Sequence, residues 1–220
     1  SFLLGPDETL AGGIDDTVFA IGLGEPSAIN PAALSALTNG TGGYVTMTGT
    51  LSPDERFLLA KYYLQILAGV TNQQIVLDPD GYLKGGDGVT IPFELNRTDS
   101  ATDVILLSPA PGVLTFTLVS PSGQQITPAT AGVSYVTGAN VAYYRFSLPA
   151  VGSGGVEDWG GTWTAVVECG RGAFTRYLRQ LEGKNPDEYK FVVTHGLRYV
   201  LEVHSRSSLT MDTRLDQKDI

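Results

Sequence analysis

The hydrophobic patterning of this chain changes near residue 70, and that change limits the folds open to it. Before it, apolar runs alternate between strand-like and helix-like. Thr17-Val18-Phe19-Ala20-Ile21 reads as a strand buried on both faces. Asn30-Pro31 then opens a helix, with Asn as N-cap, Pro at the first position, Leu34 and Leu37 as its stripe and Asn39-Gly40 as its stop. Tyr44-Val45-Thr46-Met47 reads as the next strand. Ser52-Pro53-Asp54-Glu55 has the form of a capping box, and the helix it opens runs to Ala68. Phe57, Leu58, Tyr62, Leu64, Ile66 and Leu67 cover more than one stripe of that helix, which predicts cover on two sides.

After residue 70 the pattern is one of short strands. Runs at Ile75–Leu77, Val89–Phe93, Val104–Leu107, Val113–Leu118, Tyr143–Phe146, Thr162–Val167, Tyr189–Val193 and Tyr199–Val203 are separated by turn signals at Asp80-Gly81, Gly85-Gly86, Pro111-Gly112, Ser122-Gly123 and Gly154-Gly155. Phe174 to Leu181 fits a strand or a short helix. The 27 Gly and 12 Pro exceed the usual share of about 12% and suit many turns. The expected fold is therefore α/β plus all-β, with an α/β part over 1–70, an antiparallel β-sandwich over 71–207, and a further strand or linker over 208–220. Leu209 to Leu215 alternates like a strand, and with Ser1-Phe2-Leu3-Leu4 at the other end it predicts a segment of something longer.

A net charge of −9 opposes phosphate backbones, so nucleic acid is not an expected partner. No run approaches 18 apolar residues, so no membrane-spanning helix is expected in this segment. The single Cys169 excludes an internal disulfide and a cysteine-rich zinc site.

Few residues carry candidate chemistry. Asp78-Pro79-Asp80-Gly81 resembles the start of a calcium loop but lacks its later ligands, and reads as a β-turn; calcium at Asp78 and Asp80 stays open. His195 and His204 fall on successive strand-like runs around Gly196 and read as exposed strand histidines that could lie across from each other. Cys169 reads as a half-buried residue beginning a turn. Gly22-Leu23-Gly24 follows a strand as a dinucleotide-binding turn does, yet Ser27 replaces the third Gly and no acid follows at the ribose position. A tight strand exit is the better reading. Trp163, after Gly160-Gly161, reads as a core anchor, with Trp159 just before it. Asn39-Gly40-Thr41 and Asn96-Arg97-Thr98 match the N-glycosylation triplet. No Gly-x-Ser-x-Gly, His-Glu-x-x-His or Walker loop occurs, so no catalytic residue and no cofactor or metal ligand is assigned, and an enzyme is not expected.

The order Val18-Phe19-Ala20-Ile21-Gly22-Leu23-Gly24, Leu34-Ser35-Ala36-Leu37 and Gly42-Gly43-Tyr44-Val45 resembles the closing part of a von Willebrand factor type A (VWA) domain, over about residues 14–69. The resemblance implies a doubly wound, Rossmann-like sheet whose other strands lie upstream. It also implies Mg²⁺-dependent adhesion in a complete parent domain. The family's Asp-x-Ser-x-Ser motif does not occur in this sequence, so no metal ligand is carried over. Leu118-Val119-Ser120-Pro121-Ser122-Gly123 and Gly161-Thr162-Trp163 are similar to signatures of jelly-roll modules, including the P domain of proprotein convertases. The expectation is a non-enzymatic adhesion or protein–protein interaction segment. Its partners would be a protein ligand and the upstream segment of the same parent, and its place extracellular or at the cell surface, with a cytoplasmic one also open. The alternatives are an accessory region of a secreted hydrolase, and a carbohydrate-binding sandwich using Tyr143 or Tyr144.

Overall fold

The first unit, Ser1–Leu67, is built around a parallel strand pair, and the second, Ala68–Ile220, around antiparallel sheets. The structure is a computed structural model and describes residues 16–25, 27–52, 55–151 and 154–209.

In the first unit β1 (Ala20–Gly22) leads to α1 (Pro31–Thr38) and then to β2 (Val45–Met47), which pairs parallel with β1. The Asn30 side chain accepts from the backbone N–H groups of Ala32 and Ala33 at 3.1 and 3.2 Å, as an N-cap should. Gly22 is needed for packing: a Cβ there would fall 2.5 Å from Met47 Sδ. The close approach of Met47 and Leu34 leaves no room for a side chain at this strand exit. α2 (Leu58–Val70) starts later than the capping signal suggests. Half of the capping box forms, with Glu55 Oε2 accepting from the Ser52 N–H at 3.2 Å, while the Ser52 hydroxyl donates to the same oxygen at 2.7 Å and the Glu55 N–H goes to the Ser52 carbonyl at 2.9 Å. Pro53 and Asp54 lie outside the described residues. The expectation of cover on two sides fails in part, because Tyr63, Leu67 and Val70 are exposed along one helix face.

In the second unit the strands are β3 (Gln74–Leu77), β4 (Asp80–Leu83), β5 (Gly88–Leu95), β6 (Asp99–Leu107), β7 (Leu114–Val119), β8 (Gln125–Ile126), β9 (Val133–Thr137), β10 (Val141–Ser147), β11 (Ala150–Val151), β12 (Glu157–Asp158), β13 (Gly161–Cys169) and β14 (Leu197–Ser207). A short 3₁₀ turn, Pro111–Val113, precedes β7, while α3 (Arg171–Lys184) and α4 (Pro186–His195) sit between β13 and β14. The larger sheet runs β3-β14-β6-β10-β9, with β4 also on β14. The smaller runs β5-β13-β7-β8, and β11 pairs with β12. All these pairings are antiparallel.

Alternation builds the core between the two sheets. β13 sends Trp163, Ala165 and Val167 inward, and β10 sends Ala142, Tyr144 and Phe146. Phe146 and Trp163 rings lie 5.2 Å apart, Phe116 and Tyr144 rings 5.1 Å apart, and the buried Tyr144 hydroxyl donates to the Phe116 carbonyl at 2.8 Å. This mixed α/β arrangement of antiparallel sheets and few helices is compatible with a β-sandwich.

Two sequence expectations are corrected, and one left open between strand and helix is decided. Tyr189 to Val193 is not a strand but part of α4, which Asn185 caps by accepting from the Glu188 N–H at 3.3 Å, with Pro186 at the first position and Asp187 and Glu188 in the first turn. The apolar run was β-like, and the start signal four residues earlier outweighs it. Phe174 to Leu181 is helical, within α3. Asp80-Gly81 is not a turn but the start of β4, where Gly81 lies under the Tyr199 ring and a Cβ would come 2.9 Å from its hydroxyl. The alternating segment after Leu209 lies outside the described residues.

Candidate functional site

The second unit buries ionisable side chains on the face of its larger sheet that points away from the core. Along β14, Leu197, Tyr199, Leu201 and Val203 join the core, so Arg198, Val200, Glu202 and His204 take the opposite face. That face is also closed to solvent: Val200 and Leu107 are 0% exposed, Glu202 0% and His204 1%. Glu202 Oε2 lies 3.2 Å from His204 Nε2. Neither Glu202 oxygen and not His204 Nε2 has a hydrogen bond of good geometry. Two titratable groups so placed are costly unless each supports the other.

Across the ladder, His204 pairs with Asp103 and Glu202 with Ile105, both on β6. Arg145 of β10 grips Asp103 through Nε at 2.7 Å and Nη2 at 2.9 Å, and Gln73 adds a weaker donor at 3.4 Å. The Asp103 hydrogen bonds, opposed by burial, raise the Arg145 guanidinium above its ordinary range. The constellation thus holds a satisfied ion pair beside an unsatisfied carboxyl–imidazole couple. It has no nucleophile of its own along β14: Ser205 is the next residue and points to the other face.

The sequence-selected residues do not converge on it, His204 excepted. His204 is on a strand but buried, and His195 is exposed at the end of α4, its Nδ1 3.2 Å from the Phe191 carbonyl. Both expectations of exposed strand histidines are therefore corrected. The two are also far apart, since Leu197 to His204 spans roughly 23 Å of strand. Asp80 is held by Arg198 Nη2 at 3.0 Å. Asp78 lies in the link between β3 and β4. Among the described residues no three of His, Cys, Asp and Glu are placed to hold a metal ion.

Cys169 ends β13 and is buried, not half-buried. Its N–H donates to the Asp87 carbonyl at 2.8 Å and its carbonyl accepts from the Gly86 N–H at 2.7 Å. Burial first, and the Asp87 charge second, push its thiol up to about 11. The folded unit therefore holds this proton more tightly than the unfolded chain, whose thiol titrates near 9.0. Stability must fall as pH rises from about 9 towards 11. Urea titrations across that range should show the wild type losing more stability than Cys169→Ala, which has no thiol to ionise.

Tyr144 is fully buried, so it offers no face to a sugar, and Tyr143 lies under the Arg145 guanidinium at 5.7 Å. Trp163 is fully buried as expected and donates to the Trp159 carbonyl at 3.1 Å, while Trp159 itself is exposed. Asn39 and Asn96 are exposed. Sequence reasoning missed Glu202 and the Asp103–Arg145 pair, because a strand alternating polar with apolar residues reads as having one wet face.

No family model matches the chain, and no curated protein matches it. Among solved structures it is similar to AlgX of Pseudomonas aeruginosa, from a structural and functional characterization of that protein, at 12% identity and a TM-score of 0.31. The match covers 87% of this chain and 48% of that one, so this chain spans about half of its length. So low a score carries no argument about fold or function. What the fold and site define is a class: a parallel strand–helix–strand unit followed by an antiparallel β unit with a buried Glu–His couple. None of the described helices is long and apolar enough to cross a membrane.

Proposed function

We propose that this chain is a non-enzymatic adhesion or protein–protein interaction segment of a larger VWA-containing protein. Residues 14–69 form the closing portion of the doubly wound domain, and residues 71–207 a β-sandwich that supports or extends its binding surface. The observation that carries the reading is the parallel pairing of β1 with β2 around α1, at the residues where the VWA-like sequence runs in order. Parallel sheets are stable when several strands are covered on both faces, whereas this sheet has two described strands of three residues each. On this reading further parallel strands complete so small a sheet.

On this reading the ligand is a protein, the setting is extracellular or at the cell surface, and Mg²⁺ binding belongs to residues outside this chain. α2 is the element through which a signal would pass between the two parts. Native-state amide exchange tests the reading: β1 and β2 must exchange much faster than β6 and β14. Equal protection would overturn it.

A further inference from the structure

Basic charge in this acidic chain gathers on α3, which holds four of the 14 Lys and Arg residues and one of the 23 acids. Two of the four have a place within the fold. Arg171 leans over Gly86, where a Cβ would come 2.6 Å from its Nε, and Lys184 sits in the last turn, where the helix C-terminus favours a cation. Arg176 and Arg179 have no such place. Both are exposed, and among the described residues neither guanidinium has a hydrogen bond or an ion pair. Arg145 and Arg198, by contrast, hold Asp103 and Asp80.

The two free arginines lie on one line. Phe174 and Leu181 turn into the core, so the opposite face of α3 carries Gly172, Arg176, Arg179 and Gly183, at i, i+4, i+7 and i+11. Glycine is a poor helix former, and packing asks for neither of these. Among the described residues nothing lies within 4 Å of a Cβ at Gly183, and at Gly172 only Arg176 Nη1 does, at 4.0 Å. The stripe is therefore low at both ends with two cations between. It runs roughly 17 Å along the helix, an open line rather than a pocket, which suits a chain better than a small anion.

We propose that this face of α3 docks an acidic segment of a partner protein, with one carboxylate on Arg176 and another on Arg179. The charge that selects the partner sits on the face itself. A guanidinium and a carboxylate match as a planar pair joined by two hydrogen bonds. Cβ atoms three apart on a helix are roughly 5–6 Å from each other. Acids at alternate positions of an extended chain fall roughly 7 Å apart on one side, within reach of both arginines. Without side chains at 172 and 183, the partner's backbone can pass close. A membrane surface fits this face less well, because α3 keeps its apolar side chains in the core and lipid-binding clusters take roughly 4–8 basic residues. The inference rests on reading the chain as a protein-interaction segment, and names the surface and the partner's chemistry.

The test titrates the full chain with a synthetic peptide of alternating Glu and Ser at low ionic strength. The peptide is expected to bind saturably and to shift the side-chain Nε–H signals of Arg176 and Arg179. Arg176→Glu combined with Arg179→Glu should weaken binding by about tenfold or more, with thermal unfolding unchanged because both residues are exposed. If that variant unfolds, Gly183→Glu replaces it: the position is open, and a like charge on the same stripe should weaken binding several-fold. Arg56→Glu combined with Arg97→Glu makes the same change in net charge at exposed positions outside α3, and should leave binding nearly unchanged. Binding that survives the α3 variants, or falls equally with the Arg56 and Arg97 pair, overturns the α3 assignment alone and leaves the interaction reading standing. Tighter binding to phosphatidylserine–phosphatidylcholine vesicles through the same arginines overturns it in favour of a membrane surface. Self-association that depends on them overturns it in favour of a second copy. No saturable binding by the wild type overturns it outright, while exchange from β1 and β2 judges the interaction reading separately.

Discussion

Trp163→Ala should destabilise the second unit by about 3–5 kcal/mol, a large part of the roughly 5–15 kcal/mol available to a domain. Trp163 is fully buried in the middle of the core, against Phe146 at 5.2 Å, and its indole N–H donates to the Trp159 carbonyl. Alanine leaves a cavity that neighbours on two sheets cannot close together, because each is fixed by its own ladder. The freed carbonyl belongs to Trp159, a residue on the surface, and the lost packing dominates. Trp163→Phe keeps most of the ring and should cost much less. Urea unfolding of both variants measures the difference. A cost below about 1 kcal/mol for alanine would mean that the ring does not anchor the core.

His204→Leu should cost about 3–5 kcal/mol, because it leaves the Glu202 carboxyl buried with no polar partner. Replacing both Glu202 and His204 with leucine should restore most of that loss. The site is already lined by Val200, Leu107 and Ile105, which are buried, and two apolar side chains remove the desolvation cost altogether. The prediction is thus a strong coupling, with the double variant more stable than His204→Leu. Costs that simply add would show that the two groups do not depend on each other. Asp103 provides the contrast, because Arg145 already satisfies it with two short bonds.

Much of the fold was legible, and the reasons are local. Asn30-Pro31 marks a helix start because cap and first-position chemistry lie within a few residues, and the helix is there. The strands around Trp163 and Tyr143 were legible because alternation coincides with β-branched residues in the first and aromatic residues in the second. Tyr189 to Val193 was not, since four apolar and aromatic residues around Lys190 fit either period, and only Asn185 upstream distinguishes them. Asp80-Gly81 has turn composition, but the close approach of Tyr199 explains its glycine, and that contact spans more than a hundred residues. The buried couple was the least legible. Glu202 and His204 look like a solvated strand face until the sheet is seen to bury both its sides, and burial of that kind is set by tertiary structure.

The most direct test of the account is native-state amide hydrogen exchange on the whole chain, residue by residue. The account predicts that the paired amides of β6 and β14 open only by global unfolding, at about 5–15 kcal/mol, and those of β1 and β2 at roughly 0–3 kcal/mol. Such a gap is what a self-sufficient β unit joined to the closing piece of a larger parallel sheet requires. Protection of β1 and β2 equal to that of β6 and β14 would contradict it, and would make the strand–helix–strand unit a stable domain that needs no further strands.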